Sequence, residues 1–567
     1  MTKRWVIKES AEQAVVKHLS EAININTTLA GLLVQRGVQT FEEAKKFFRP
    51  SLDDLHDPFL MKDMDRAVER LETALDQGQK VLVYGDYDVD GTTSVALFYG
   101  FMQDHYPGIK FYIPDRYKEG YGISEAGIDW AIEEKFDLII SLDCGIKAVN
   151  MIGKAAAAGI DFIVCDHHLP GAQLPPAFAV LDPKRPDCSY PFKELSGCGI
   201  GFKLLQAFCI KNNIDLDDLY PYLDLVAVSI AADIVPLVGE NRILAHFGLQ
   251  QLNSNPRPGL QALINLAGFK SQIDINSIVF GIGPRINASG RIAHAKTAVK
   301  LLLSKDLEEA ESIATIINDK NTERRSFDTN ITREALEMIE QNPLSSNAKS
   351  TVLFKNDWHK GVIGIVASRC IDSYYRPTII LTESNNKATG SARSVVGFDI
   401  YEAISECSDL LLQYGGHMYA AGLTMEVDKV EAFQQRFEEV VSSRIRPEQL
   451  VPQIEIDQTI TLDQVTPRFN KILKQMGPFG PLNMQPVFIT ENVKATGRPR
   501  VLKNKHLKLN LAQEEGGPVL DAIGFDMADY FAMIDSGMRF HIAYTIEENS
   551  YWGPDALQLC LKDIKFD

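Results

Sequence analysis

No two cysteines in this chain of 567 residues are spaced as CxxC, and the eight present are scattered between positions 144 and 560. That spacing argues against both a structural zinc site and a disulfide framework. Cys144 and Cys165, which flank acids at strand ends, read as small buried hydrophobes. No uninterrupted apolar span reaches the ~20 residues that a membrane helix needs, and the opening MTKRWVIKES has no apolar h-region. A cytoplasmic protein with no membrane partner is therefore expected. Positive charge is short too: 58 Lys and Arg stand against 75 Asp and Glu, a formal net charge of −17. That sum counts against a nucleic-acid ligand, since affinity for phosphate backbones comes mostly from Lys and Arg. It is only a sum, and local clustering of positive charge is what decides binding. Signs of disorder are missing as well, with 45% hydrophobic and 23% charged residues, close to the average for soluble domains. The length predicts three or four domains.

What is present centres on KVLVYGDYDVDGTTSVALFYG at 80–100, where a short apolar run breaks into three acids at alternate positions. Val81, Leu82, Val83 and Tyr84 predict a buried strand ending at Gly85. Gly91 frees the turn that follows, Thr92, Thr93 and Ser94 offer N-cap oxygens, and Val95, Ala96, Leu97 and Tyr99 predict a packed helix. Asp86, Asp88 and Asp90 then stand just past the carboxyl end of a strand, the edge where open α/β sheets place ligands. Three acids so close repel one another unless something positive lies between them, which points to a divalent metal. Other readings compete. An EF-hand loop would need its closing Glu where Leu97 stands, and would not follow a strand. Asp88-Val89-Asp90-Gly91-Thr92 matches the D-x-D-x-T opening of the haloacid-dehalogenase phosphatases, with Asp88 as nucleophile and Asp90 as acid/base. A solvated acidic turn is the bland alternative.

Residues 1–75 read as amphipathic helices, with Leu29, Leu32, Leu33, Val38, Phe41, Ala44, Phe47 and Phe48 on the apolar face and no evident chemistry. From 80 onward the pattern alternates, with strands at 109–114, 137–143, 161–166 and 177–182 and helices over 125–134 and 148–158. Such alternation predicts βαβ crossovers and a parallel sheet covered on both faces. Two of the strands end in residues that answer the acidic triplet: Asp143 closes LIISLD, and Asp166-His167-His168 closes FIVCD. Successive strand ends share one edge of a parallel sheet, so these groups can converge on Asp86, Asp88 and Asp90. The apolar run 225–232 then delivers Asp233. Alone it would be a helix cap, but as a fourth acid ending an apolar element it reads as a ligand.

Together GDYDVDG, SLDCG, CDHH, AADIVPL, IPDRYKEGYGIS (113–124), GPRINASGRI (283–292), WHKGVIGIVASR (358–369), GSARS (390–394) and YGGHMYAAG (414–422) resemble the Asp-His-His (DHH) phosphoesterases. Within that family they resemble the RecJ type of single-stranded DNA exonuclease. The likeness covers most of the chain, and the haloacid-dehalogenase reading has no comparable later support. It implies that Asp86, Asp88 and Asp143 hold one ion and that Asp90, Asp143, His167 and Asp233 hold a second, with Asp143 bridging. Mixed carboxylate and imidazole ligands suit Mn²⁺, or Mg²⁺ where it is available, better than an all-oxygen Ca²⁺ site. His168 is expected to face the substrate as a donor to the scissile phosphate, which makes Asp143 and His168 the catalytic candidates. Two ions about 3.5–4 Å apart activate a water and clamp an in-line displacement at phosphorus. The implied reaction is hydrolysis of single-stranded DNA from 5′ to 3′ into mononucleoside 5′-phosphates, with no covalent intermediate, in DNA repair and recombination. Polarity and the choice of DNA over RNA come from the resemblance alone.

The stretch 283–300 carries Arg285, Arg291, His294, Lys296 and Lys300 without an acid. Arg285 and Arg291 would clamp phosphate through paired donors, while packing within a loop is the bland alternative. Residues 306–342 read as one or two long helices bridging two lobes, and 348–445 as a second α/β lobe, the DHHA1 domain by resemblance, which binds substrate. There Gly390-Ser391-Ala392-Arg393-Ser394 and Gly415-Gly416-His417 read as glycine-rich turns that bring N–H groups close to phosphate. Arg116, Arg285 and Ser391 or Ser394 form the candidate set for the 5′ end, with Arg393 and His417 as further substrate-binding candidates.

From 451 five short β segments, QIEIDQTITL, QPVFIT, LKLNLA, RFHIAYTIEE and ALQLCLKDI, predict an OB-like barrel. Lys494, Arg498, Arg500, Lys503, Lys505 and Lys508 lie across 494–508 against no acid, which suits a single-strand backbone, with His506 and Phe488 or Tyr551 as stacking platforms. The expected order is a helical segment (1–75), a DHH domain (76–280), connecting helices (281–345), a DHHA1 domain (346–450) and an OB-like domain (451–567). The chain is expected to act as a monomer on single-stranded DNA, with a helicase or single-strand-binding protein as a further partner. Two alternatives remain, a phosphodiesterase for nanoRNA or cyclic dinucleotides and a non-catalytic single-strand scaffold. The long helix and basic barrel disfavour the first, and the full ligand set disfavours the second.

Overall fold

The runs VLVYG, LIISL and DFIVC form the strands Val81–Gly85, Leu138–Leu142 and Asp161–Cys165 of the structure, a computed structural model that describes residues 3–292, 294–342, 347–549, 553 and 555–566. Tyr551 lies outside the described residues. With Ile109–Tyr112 and Ala179–Leu181 they make a parallel sheet in the order Ile109–Tyr112, Val81–Gly85, Leu138–Leu142, Asp161–Cys165, Ala179–Leu181. Alternation decides what each side chain meets. Leu82, Tyr84, Ile139, Phe162 and Val164 pack with the helices Glu125–Glu133 and Val149–Ala157. Val81, Val83, Leu138, Ile140 and Ile163 pack with Val89–Met102, Gly197–Asn212 and Leu223–Ala232. Burying each such side chain stabilises the fold by about 1.5–3 kcal/mol, which is why both faces are apolar. The strand order reverses between Val81–Gly85 and Leu138–Leu142, the switch point at which doubly wound sheets open a crevice. Asp86 and Asp143 are the first residues past those two strands.

Two compact units make up the chain, Lys8–Asp319 with Ile456–Asp567 and Met1–Ile7 with Lys320–Glu455. The bridging stretch is one helix of 35 residues, Leu307–Gln341. Ala310, Ala314 and Ile317 are buried in the core of the first unit, and Ile331, Ala335 and Ile339 in that of the second. The second unit is a mixed sheet in the order Gln413–His417, Ala420–Glu426, Lys387–Arg393, Thr378–Ser384, Thr351–Phe354. Here the structure corrects the reading of glycine-rich turns: residues 390–393 belong to a central strand and 415–417 to an edge strand. Gly390 and Ser391 are paired on both sides, so their backbone groups serve the ladder rather than a phosphate.

The barrel belongs to the first unit. Its strands are, in chain order, Phe488–Ala495, His506–Ala512, Leu520–Gly524, Phe540–Glu548 and Leu557–Lys565. First pairs with second, second with third, third with fifth in parallel, fifth with fourth, and fourth with first, closing the sheet. Two details depart from the sequence reading. QIEIDQTITL supplies none of the five strands: Gln453–Ile456 pairs with Arg4–Ile7, and Gln458–Thr459 runs beside the first strand. The strand it displaces is Leu520–Gly524, which is short and carries an acid and a glycine. Nor is 1–75 a separate helical segment. Leu19, Leu29, Leu32 and Leu33 share one core with Phe488, Leu507, Leu509 and Tyr544 of the barrel, while Ala67, Val68 and Leu71 of Met64–Asp76 join the parallel sheet's core.

The loop 477–484 ties these parts together. The Leu237 N–H donates to the Pro481 carbonyl at 2.7 Å. Arg242 lies 3.9 Å from the Phe47 ring centroid and donates to the Gly477 carbonyl at 2.7 Å, and Arg36 donates to Asn483 at 2.9 Å. Because Leu33 is fully buried between the first helices and the barrel, Leu33→Ala is expected to destabilise that core by about 2–5 kcal/mol. Urea denaturation followed by barrel tryptic protection would read it, and a loss below about 1 kcal/mol would contradict a shared core.

Candidate metal centre

The acidic turn is shaped by what glycine permits. Asp88 caps the helix Val89–Met102, accepting from the Gly91 N–H at 3.0 Å. A Cβ on Gly91 would stand 2.4 Å from the Asp86 carbonyl oxygen, so only glycine lets the turn fold back on the helix start. Asp143 follows its strand in the left-handed region, φ 61°, and a Cβ on Gly197 would stand 2.6 Å from the Asp143 Cβ. Asp90 is held from three sides by the N–H groups of Gly197 (2.7 Å) and Cys198 (2.8 Å) and the Ser229 hydroxyl (2.6 Å). The first two open the helix Gly197–Asn212, so the positive end of its dipole faces this carboxylate. Asp233 sits at the opposite pole, as C-cap of Leu223–Ala232, where a negative charge is unfavourable unless a cation offsets it. Ile234, next in the chain, has φ 60°, and left-handed backbone costs an L-residue about 1–2 kcal/mol.

These groups converge on one imidazole. His167 Nε2 lies 3.2 Å from Asp143 Oδ1, 3.6 Å from Asp233 Oδ2 and 3.8 Å from Asp90 Oδ2. Even so, among the described residues neither ring nitrogen has a hydrogen-bond partner, and Asp86 Oδ2 is likewise buried without one. Oxygens of Asp90 and Asp233 lie within 4.8 Å of each other, a repulsion of about 3–4 kcal/mol at an effective dielectric near 20. Burial, reinforced by neighbouring acids, holds the carboxyls of Asp86, Asp88 and Asp143 above the usual carboxylate range, and burial with the Asp90 charge pushes Asp233 up to about 8. Orphaned nitrogens and oxygens, crowded carboxylates and a mixed oxygen and imidazole donor set all fit divalent cations. Asp90, Asp143, His167 and Asp233 would surround one of them, with Asp86 and Asp88 on the side of the first turn.

The second histidine is built differently. His168 Nδ1 lies 2.7 Å from Asp166 Oδ1, and the Tyr121 hydroxyl stands 3.2 Å from both His168 Nε2 and the Asp143 carbonyl. Burial opposes protonation of His168, but the Asp166 carboxylate outweighs it and raises the ring to about 9. Asp166 itself is fixed by the N–H groups of Ile146, His167 and His168. Its role as the anchor of His168, the Tyr121 hydroxyl and the clamp of Gly197, Cys198 and Ser229 on Asp90 were not found from sequence. A serine followed by glycines just before an apolar helix was the available signal for the clamp.

The substrate-side residues fare unevenly. Arg116 stands 4.8 Å over the Tyr87 ring, beside the acidic turn. Arg285 is a correction: it is 8% exposed within the helix Gly283–Ile292, donating to Gly281 O at 2.8 Å and Asn318 Oδ1 at 3.1 Å. Packing, not a phosphate, takes up that guanidinium. Arg393 donates to Ser391 Oγ at 3.0 Å, and both meet Gly364 at the start of the helix Ile363–Ser373, where a Cβ would stand 2.9 Å from each. Ser394 instead donates to Phe398 O at 2.6 Å, and His417 lies on the exposed edge strand. On the barrel, Arg498, Arg500, Lys503 and Lys505 are exposed in the connection between first and second strands. Lys508 is paired with Asp521 at 3.1 Å, and Phe488 is a core residue rather than a platform. His506 meets the exposed Phe525 ring at 5.3 Å.

A parallel sheet with an acidic and imidazole cluster at its switch point, an α/β lobe and a closed five-stranded barrel define a DHH-type phosphoesterase with an appended OB domain. The DHH family N-terminal domain matches residues 80–230, the DHHA1 domain 347–443 and the RecJ OB domain 456–563. The chain is 39% identical over 564 residues to the single-stranded-DNA-specific exonuclease RecJ of Bacillus subtilis, covering 99% of this chain and 70% of that one. It is 32% identical to the Escherichia coli protein of the same name, covering 94% and 95%. The crystal structure of Thermus thermophilus RecJ in complex with Mn²⁺ superposes with a TM-score of 0.85 at 28% identity, covering 100% of this chain and 80% of that one. The chain belongs to the RecJ family.

If Asp143 is shared between two ions, Asp143→Ala should lose both binding events in a Mn²⁺ titration by calorimetry, whereas Asp86→Ala should lose one. Equal stoichiometry in the two variants would rule out the shared ligand.

Proposed function

We propose that this protein removes nucleotides from the 5′ end of single-stranded DNA as mononucleoside 5′-phosphates, using two divalent ions, Mn²⁺ or Mg²⁺. Asp86, Asp88 and Asp143 would hold one, and Asp90, Asp143, His167 and Asp233 the other. The observation that carries this reading is His167, whose ring nitrogens have no hydrogen-bond partner among the described residues although three carboxylates lie within 3.8 Å of Nε2. Bound ions there lower the pKa of a water and neutralise charge on the phosphodiester.

The chain's own residues do the rest. His168, anchored through Nδ1 by Asp166, keeps Nε2 turned to Tyr121. The single Tyr121 proton goes to the Asp143 carbonyl, so Nε2–H is the donor toward Tyr121 and is the group that would turn to an oxygen of the scissile phosphate. Arg116 adds positive charge beside the turn, and Arg393 with Ser391 at a helix start is a fitting seat for a terminal phosphate. As the water oxygen bonds to phosphorus, the bond to the 3′ oxygen of the departing nucleotide breaks, leaving a 5′ phosphate on the next. The exposed Arg498, Arg500, Lys503 and Lys505 of the barrel would track the incoming backbone. Such an activity belongs to DNA repair and recombination, where a helicase or single-strand-binding protein would supply the strand. Among the described residues no helix is long and apolar enough to cross a membrane.

Incubation with Mn²⁺ and end-labelled strands tests the reading. Mononucleotides should appear first from the 5′ label of long single strands, and EDTA should stop them. Turnover of only di- to tetranucleotides would favour a small-substrate phosphodiesterase, and binding without cleavage a scaffold. Replacing Arg500, Lys503 and Lys505 by Ala should weaken strand binding and lower the slope of log K against log salt by about 2. An unchanged slope would remove the barrel hairpin from the binding surface.

A further inference from the structure

Two large apolar side chains stand in water at the mouth of the centre. Leu169 is 70% exposed and Ile234 63% exposed. Leu169 follows His168 and Ile234 follows Asp233 in sequence, and the side chains of His167 and Asp233 are 3.6 Å apart, so the two flank the same cluster. Each stands beside buried residues, Asp166 and His167 before Leu169 and Val235 and Leu237 after Ile234, while Asp233 and the stretch 171–173 are exposed with them. Ile234 also holds left-handed backbone, φ 60°, where a β-branched residue is an outlier and Asn or Gly would be relaxed. Neither exposure nor conformation helps the fold. The polar groups nearest the rim do not read base edges: the Tyr121 hydroxyl and His168 bond to each other and to Asp143 and Asp166.

We propose that Leu169 and Ile234 form an apolar rim against which the nucleobase and deoxyribose of the nucleotide being removed are packed. The inference rests on the exonuclease reading and adds a basis for its selectivity. A base held in a duplex stack cannot lie against the rim, whereas a splayed single-strand base can. Every base offers an apolar face, so the contact favours unpaired ends without choosing a sequence. The occupant follows from continuity: Leu169 and Ile234 are the chain neighbours of His168 and Asp233, groups that would face the scissile phosphate and its ions, so the nucleotide carrying that phosphate is the ligand that would meet them.

The test compares 5′-labelled single strands ending in a normal nucleotide or in an abasic tetrahydrofuran residue, with Mn²⁺. Enzymes compared are the wild type, Leu169→Asn, Ile234→Asn and the double variant, with Mn²⁺ calorimetry as the control that the centre is intact. Asn accepts left-handed backbone, and both positions are exposed, so the fold should persist. The wild type should prefer the base-bearing end by about tenfold in kcat/KM, equally for all four bases, and the double variant should bring that ratio close to one, mainly through KM. An undiminished ratio in the variants, no preference in the wild type, or a preference confined to one base would overturn the rim alone. If the wild type cleaves neither strand, the exonuclease reading falls and the rim with it.

Discussion

Negative charges that are buried together and prevented from separating are the constraint on which the rest of this structure turns. Five aspartates and His167 occupy the ends of three adjacent strands and the termini of two helices. Left without cations, the Asp90 and Asp233 carboxylates alone oppose each other by about 3–4 kcal/mol. Much of the local design makes sense only as a means of keeping them close. Gly91 and Gly197 admit backbone where a methyl group would collide, the start of Gly197–Asn212 holds Asp90, and the end of Leu223–Ala232 offers Asp233 where its own helix dipole disfavours it. A fold selected for stability alone would put none of these there. Positive ions make the same arrangement favourable.

His167 and His168 show how environment separates two identical side chains. His167 has no partner fixing either nitrogen and is ringed by carboxylates, so its lone pair remains available to a metal. His168 is clamped by Asp166, which is itself saturated by three backbone N–H groups. A carboxylate so satisfied stays ionised, keeping the adjacent imidazole protonated and turned outward as a donor. The dipeptide would therefore supply a ligand and a donor from a single strand end, at the cost of one buried acid.

What could be read from the sequence was what local pattern determines. Strand runs such as LIISL are apolar enough to admit one interpretation, and acids at their carboxyl ends mark an edge of a parallel sheet whatever the loops do. Most of the failures were decided by contacts that local pattern does not reveal. Arg285 looks like a surface cation in GPRINASGR, yet its partners are Gly281 and Asn318. Gly390 and Gly415 look like turn residues, but strands on either side recruit the first into a ladder. Phe488, read as a stacking platform, packs instead against the rings of Phe469 and Tyr544 in the core that the barrel shares with the N-terminal helices. Leu520–Gly524 carries too little alternation to be recognised without the neighbours that complete its pairing.

The barrel's attachment bears on how successive cleavages could proceed. The loop 477–484 is gripped by Arg36, Arg242 and the Leu237 N–H, and Leu237 lies four residues beyond Asp233. A barrel joined in this way is not a module swinging on a tether, because displacing it would pull on the segment that carries a ligand of the centre. Its basic hairpin is consequently held at a fixed reach from the cluster. A grip on the phosphodiester backbone is indifferent to sequence and survives a one-nucleotide shift, since each step presents the same spacing of charges. If the hairpin holds the strand as proposed, removal of the end nucleotide would shorten it without disturbing that distant hold. The chain's overall negative charge is compatible with such a grip, because bound ions would offset the acids at the centre and the exposed Arg498, Arg500, Lys503 and Lys505 are gathered on one hairpin.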